Sequence, residues 1–126
     1  MKIMLHTDKA PKAIGPYSQG WKVGNMIITS GQLGIDVETG VLAEGVEAQA
    51  HASMRNVGEI LRSAGADYSN IVKSTIFVKD LADFKIVNQV YASYFSGDYP
   101  ARSCVEVAAL PMGGLVEIEV VAITEA

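Results

Sequence analysis

The sequence predicts an α+β fold of two layers, a sheet of about six strands with two helices on one of its faces. Two observations carry that expectation. Short alternating runs rich in β-branched residues recur on either side of two stretches with helical apolar spacing, in the order βββαβαββ. The 126 residues show no compositional break, internal repeat or low-complexity segment, which suits one domain over residues 1–126 with a single core.

Taken in order, a short first strand is expected near Ile3 to His6. Ser18 to Val23 and Met26 to Ser30 read as strands around Gly24-Asn25, a two-residue turn whose leading glycine supplies the positive φ of a type II′ hairpin. From Val46, the residues Ala50, Met54, Val57, Ile60, Leu61 and Ala64 recur at helical spacing, and Gly65 stands as the C′ residue that ends the helix. Ile71 to Lys79 alternates, with Val72, Ser74, Ile76 and Val78 on one face and Lys73, Thr75, Phe77 and Lys79 on the other. Asp80 is placed as the N-cap of a second helix whose stripe is Phe84, Val87, Tyr91, Tyr94 and Phe95, with Asn88 beside it. Arg102 to Val107 and Val116 to Ile123 read as two strands joined in a hairpin at Pro111-Met112-Gly113-Gly114.

In that hairpin, Ser103, Val105 and Val107 would face the helices with Val116, Ile118 and Val120. The far face would then carry Arg102, Cys104 and Glu106 with Glu117, Glu119 and Val121. A sheet face with this mixture is either solvated or covered by another subunit, and cover would create a polar interfacial cavity.

Charge and composition narrow the function classes. An excess of 14 acidic over 10 basic side chains, with no basic block, argues against a surface that tracks phosphates, so nucleic acid is an unfavoured partner. The lone Cys104 has no internal disulfide partner, and the residues from Met1 to Lys9 lack the apolar run of a signal peptide. A cytoplasmic protein is expected. No stretch approaches the ~20 apolar residues of a membrane-crossing helix.

Arg102 follows Tyr99-Pro100-Ala101, where proline fixes the backbone ahead of a guanidinium whose planar fork matches both oxygens of a small carboxylate. The plainer reading is a salt bridge to Glu117 or Glu119. Those two glutamates share a strand face and read either as solvated side chains or as a paired-carboxylate site; a single glutamate acting on water as general base is the better functional reading. Cys104 near Arg102 suggests a thiolate nucleophile, but neither His6 nor His51 lies at a spacing that would provide its base or mark a metal site. Asn88 is read as a structural clamp or a site residue. Gly31, after Ser30 at a strand end, allows close backbone approach to a small ligand or serves a bulge. Neither G-x-G-x-x-G nor G-x-x-x-x-G-K occurs.

Ala10-Pro11-Lys12-Ala13-Ile14-Gly15-Pro16-Tyr17-Ser18-Gln19, Thr29-Ser30-Gly31-Gln32 and Tyr99-Pro100-Ala101-Arg102-Ser103-Cys104-Val105-Glu106-Val107 closely resemble the RidA/YjgF (reactive intermediate deaminase) family. The resemblance continues through Asn70-Ile71-Val72-Lys73, Phe77-Val78-Lys79-Asp80-Leu81, Leu110-Pro111 and Val116-Glu117-Ile118-Glu119, and so covers nearly the whole chain. Departures at Met112, at Gly114 and in the short loop before Tyr99 leave those motif residues intact.

What the resemblance implies is a chorismate-mutase-like fold, a homotrimer whose sheets form a central barrel, and sites in the clefts between subunits. It implies a hydrolytic deaminase that converts 2-imino acids such as 2-iminobutanoate, 2-iminopropanoate and its enamine tautomer 2-aminoacrylate to 2-keto acids and ammonia, without metal or organic cofactor. Arg102 would bind the substrate carboxylate and Glu117 would orient or deprotonate water. Tyr17, Ser30, Gly31, Asn88 and the main chain at Cys104 would complete the pocket. The competing readings are a ribonuclease or translation inhibitor of the same family and a non-catalytic carboxylate-binding sensor, which would use Arg102 without Glu117.

Overall fold

In the computed structural model, which describes residues 1–125, the strands β1 (Lys2–Leu5), β2 (Gly20–Val23), β3 (Met26–Thr29) and β4 (Gln32–Leu33) precede the helix α1 (Val46–Ser63). Then follow β5 (Ile71–Val78), the helix α2 (Phe84–Ala92), β6 (Ala101–Glu106) and β7 (Val116–Ile123). They form one sheet in the order β1-β2-β3-β7-β5-β6, with β4 also paired to β7. Both helices lie on one face, as the sequence leads one to expect.

The β2–β3 hairpin closes through Gly24-Asn25 with Val23 opposite Met26, and Gly24 takes φ 60°. Helix α1 ends in a Schellman motif: Ala66 N–H donates to Leu61 O at 3.0 Å and Gly65 N–H to Arg62 O at 3.1 Å, with Gly65 at φ 80°. Its buried stripe includes Met54, Val57, Ile60 and Leu61, packed on Ile27, Ile76, Val116 and Ile118 from the sheet. Each such side chain contributes about 1.5–3 kcal/mol relative to exposure.

Four expectations are corrected. The last two strands are not a hairpin. Strand β6 lies parallel to β5, with Ser74 opposite Arg102 and Ile76 opposite Cys104, while β7 runs antiparallel along the other side of β5. Parallel neighbours require a crossover, which residues 79–100 with α2 provide. The segment at Pro111–Gly113 is a 3₁₀ turn, with Met112 at φ 60°, that carries the chain back across the end of β5.

The inward phase of β5 begins at Ile71 rather than Val72, because a register shift between Ile71 and Lys73 turns Val72 out to 46% exposure. Asp80 caps a 3₁₀ turn, Leu81–Asp83, by accepting from Ala82 N–H at 2.9 Å, and α2 starts only at Phe84. Tyr94 and Phe95 lie past its end but still pack against the core.

Parallel pairing reverses the expected faces of β6. Residues paired across adjacent strands project to the same side, so Arg102, Cys104 and Glu106 share the helix side with Ser74, Ile76 and Val78. Ser103 and Val105 join Thr75, Phe77, Glu117 and Glu119 on the open side. Lys73 Nζ donating to Ser103 Oγ at 2.9 Å, and Glu106 Oε1 accepting from Leu81 N–H at 2.9 Å, are consistent with the two placements.

Candidate active site

The sequence-derived site residues fall into two groups. The first is built around Glu117 on the open side of β7, where β4 places Leu33 and β5 places Phe77 opposite it. A cleft of about 1030 Å³ opens here, lined by Tyr17, Ser30, Gly31, Leu33, Met112 and Glu117 among others. Gly31 has a specific reason to be glycine. A Cβ at that position would stand 2.7 Å from Cδ and 2.8 Å from Oε1 of Glu117, so the carboxylate lies where a side chain would otherwise be.

The Ser30-Gly31 corner hangs from the segment that leads into β2. Ser30 N–H donates to Gln19 O at 2.8 Å and Ser30 Oγ donates to Ser18 O at 2.5 Å. The buried Gln19 side chain ties in the N-terminal segment: Nε2 donates to Thr7 O at 3.0 Å and Pro11 O at 2.9 Å, and Oε1 accepts from Thr7 N–H at 2.8 Å. Reading the sequence residue by residue misses this function of Gln19, because only the fold shows that its amide is enclosed. Tyr17, half exposed, stands on the same segment at the mouth of the cleft.

Burial pushes the Glu117 carboxyl above its ordinary range, and the nearby charge of Glu119 pushes it further the same way. A carboxylate that is hard to keep ionised is a stronger proton acceptor when it is ionised.

The second group lies at the β6 edge, on the helix side. Arg102 Nη1 donates to Asn88 Oδ1 of α2 in a short 2.5 Å hydrogen bond. Its guanidinium sits 5.3 Å from the Phe84 ring centroid and 5.2 Å from that of Tyr91. Tyr91 is fixed in turn, its hydroxyl donating to Ser74 Oγ at 2.8 Å in the buried interior. In the sequence Phe84 and Tyr91 read only as an apolar stripe. Their packing against Arg102 follows from the β5-α2-β6 crossover, which sets α2 over the β6 edge.

Cys104 follows Arg102 on the same side, partly buried against the core. Burial raises its thiol above the usual range and the Arg102 charge opposes this only in part, so the surroundings favour the thiol over the thiolate. No base reaches it among the described residues: His6 pairs with Asp8 at 3.2 Å, and His51 Nδ1 lies 2.8 Å from the Tyr94 hydroxyl. No cluster of three His, Cys, Asp or Glu suited to a metal ion occurs among them either.

Arg102 makes no ion pair with Glu117 or Glu119. They belong to opposite sides of the sheet with β5 between their strands, roughly 10 Å across before the change of side is counted. One chain therefore presents a guanidinium held by Asn88 and a carboxyl of raised proton affinity that lie apart, on opposite sides of its sheet.

Residues 7–124 match the family described as Endoribonuclease L-PSP. The chain is 50% identical over 126 residues to the 2-iminobutanoate/2-iminopropanoate deaminase of Salmonella typhimurium, covering 98% of each. It is 52% identical over 122 residues to Reactive Intermediate Deaminase A, chloroplastic, of Arabidopsis thaliana, a match covering 96% of this chain and 65% of the longer plant protein. Among solved structures, E. coli TdcF with bound serine superposes with a TM-score of 0.95 at 42% identity, covering 98% of this chain and 99% of the other.

Proposed function

We propose, from the premise that this chain belongs to the RidA/YjgF family, that it is a 2-iminobutanoate/2-iminopropanoate deaminase. It is a hydrolytic enzyme acting on the C=N bond of small 2-imino acids, releasing ammonia and the 2-keto acid. The observation that carries this reading is the pair of complementary half-sites, a guanidinium held ready for a carboxylate and a half-buried glutamate with raised proton affinity.

The site closes between copies of the chain. Arg102, Asn88 and the main chain at Cys104 from one copy meet Tyr17, Ser30, Gly31 and Glu117 from the next. The open sheet face supports such an assembly: Met4 is 57% exposed, Val105 44% and Ile28 38%, apolar side chains among polar ones on a face with no cover in the single chain. A homotrimer, with the open faces turned into a central barrel in the chorismate-mutase-like manner, covers that face and forms three sites at once. A reducing, cytoplasmic setting suits its free Cys104.

In the closed site the Arg102 fork grips the substrate carboxylate, and Asn88 with the Phe84 and Tyr91 rings keeps the fork in plane. Glu117 takes a proton from water as the water oxygen bonds to C2, and the C=N π pair moves to nitrogen, which takes that proton from Glu117 to give the carbinolamine. Glu117 then removes the proton of the new hydroxyl and passes it to the amine; the C=O bond forms as the C–N bond breaks, and ammonia leaves the 2-keto acid. Holding an already reactive imine beside oriented water supplies most of the acceleration.

The test is to generate a 2-imino acid in situ and follow ammonia and keto-acid release, while RNA is incubated with the same preparation. Faster keto-acid release with intact RNA is the expected result. Cleaved RNA with no effect on imine decay would overturn it.

A further inference from the structure

Glu119 stands two residues from Glu117 on the same side of β7, opposite Thr75, and both line the same cleft. Strand geometry places them about 6.5–7 Å apart along the chain. Neither carboxylate is engaged by a hydrogen bond or ion pair among the described residues.

The other charged groups that face the pair are few. Asp8 and Lys12 reach the cleft from the N-terminal segment with opposite signs. Lys73, the next position along the open side of β5, is engaged with Ser103, Lys79, just past the other end of β5, donates to the Ala108 carbonyl, and Lys2 lies over Trp21 toward the far edge. β3 and β4 bring the apolar Ile28 and Leu33 to this side. In the proposed assembly Arg102 of the neighbouring copy also faces the cleft, where the substrate carboxylate occupies it. Glu119 is thus the nearest uncompensated charge that Glu117 has on its own strand.

We propose that Glu119 is a positioning residue for the deamination, whose negative charge strengthens Glu117 as a proton acceptor and thereby sets how far into acid the enzyme works. The inference rests on Glu117 being the base. With Glu119 ionised, removal of a proton from Glu117 places two like charges in one half-buried cleft, so the base is stronger but is protonated sooner as the pH falls. Neutralising Glu119 reverses both effects.

The experiment compares the pH profile of kcat/KM for wild type, Glu119→Gln and the charge-preserving Glu119→Asp, each normalised to its own plateau. At the pH where wild type keeps about a tenth of its plateau, Glu119→Gln should keep roughly threefold to tenfold more, the range that charges at this separation produce between surface-like and aqueous screening. Glu119→Asp should follow wild type. Carbon-13 NMR titration of the Glu117 carboxyl, which does not depend on turnover, should show its midpoint moving to lower pH in Glu119→Gln. Superposable titrations of Glu117 in wild type and Glu119→Gln would overturn the inference. Full activity in Glu117→Gln would instead remove the function assigned to Glu117, while the NMR titration would still judge the coupling between the two carboxylates.

Discussion

The guanidinium of Arg102 rests against Phe84 and Tyr91 and donates to Asn88, so its plane is set before a substrate arrives. Lysine retains the charge but neither the fork nor the stacking. Arg102→Lys should therefore lose most activity and Arg102→Ala more, a fall of about 10² to 10³ in kcat/KM if contacts of about 3 to 4 kcal/mol vanish from the transition state. Near-normal kinetics for Arg102→Ala would reduce this residue to an edge-strand cation. Glu117 permits a test in which stability and activity move apart. Its folded proton affinity is raised, so its contribution to stability is present while it is protonated and is lost as pH rises through that elevated value. Glu117→Gln should thus be inactive yet melt at or above the wild-type temperature at neutral pH, with the two proteins converging in acid. A lower neutral melting temperature would contradict the burial argument. Cys104→Ser, measured alongside, should remain substantially active, because the raised thiol has no activating base among the described residues and only its main chain is assigned to the site.

At the level of elements, the junction between β3 and β4 and the crossover between β5 and β6 do most to place the two half-sites. Gly31→Ala should lower kcat/KM by about ten- to a hundredfold, since its Cβ would occupy the space of the Glu117 carboxylate and shift the base by about an ångström. Thermal melting, far less affected because the core strands stay intact, separates this from misfolding; unchanged kinetics would show that the carboxylate tolerates the move. Helix α1 and strand β7 were legible in the sequence to within a residue, because apolar periodicity and the Gly65 stop signal are local. Strand order was not. Pro111, Gly113 and Gly114 between two alternating runs are sound turn signals, but they cannot say that β5 will lie between those runs. That depends on the helix in residues 79–100, whose presence already marked a crossover to a parallel neighbour. The misreading put Arg102 on the side of Glu117, and with it the false prospect of a salt bridge within the chain. Phe84, Tyr91 and Gln19 escaped as site-shaping residues for the same reason, since their partners come from distant segments.

On the scale of the whole molecule, the separation of Arg102 from Glu117 has a consequence that single variants cannot reveal. If each site takes Arg102 from one copy and Glu117 from the next, two inactive variants can repair each other. Arg102→Ala chains retain a sound Glu117 half and Glu117→Gln chains a sound Arg102 half. Around a cyclic trimer containing both kinds, whichever is in the minority, one of the three interfaces joins two sound halves. Random mixing at equal amounts makes about three quarters of the trimers mixed, so dissociating the two inactive proteins together and reassembling them should restore about a quarter of wild-type activity. Each variant carried through the same treatment alone should stay inactive. Sites completed within one chain would give no recovery in the mixture. A dimer with two-fold symmetry would recover by a different rule: half of its molecules would be mixed and each would hold one sound site of two, again about a quarter at equal amounts, so the mixing curve must be paired with sedimentation. A particle of three chains that recovers activity only on mixing would establish the shared site, whereas an active monomer at micromolar concentration would remove it.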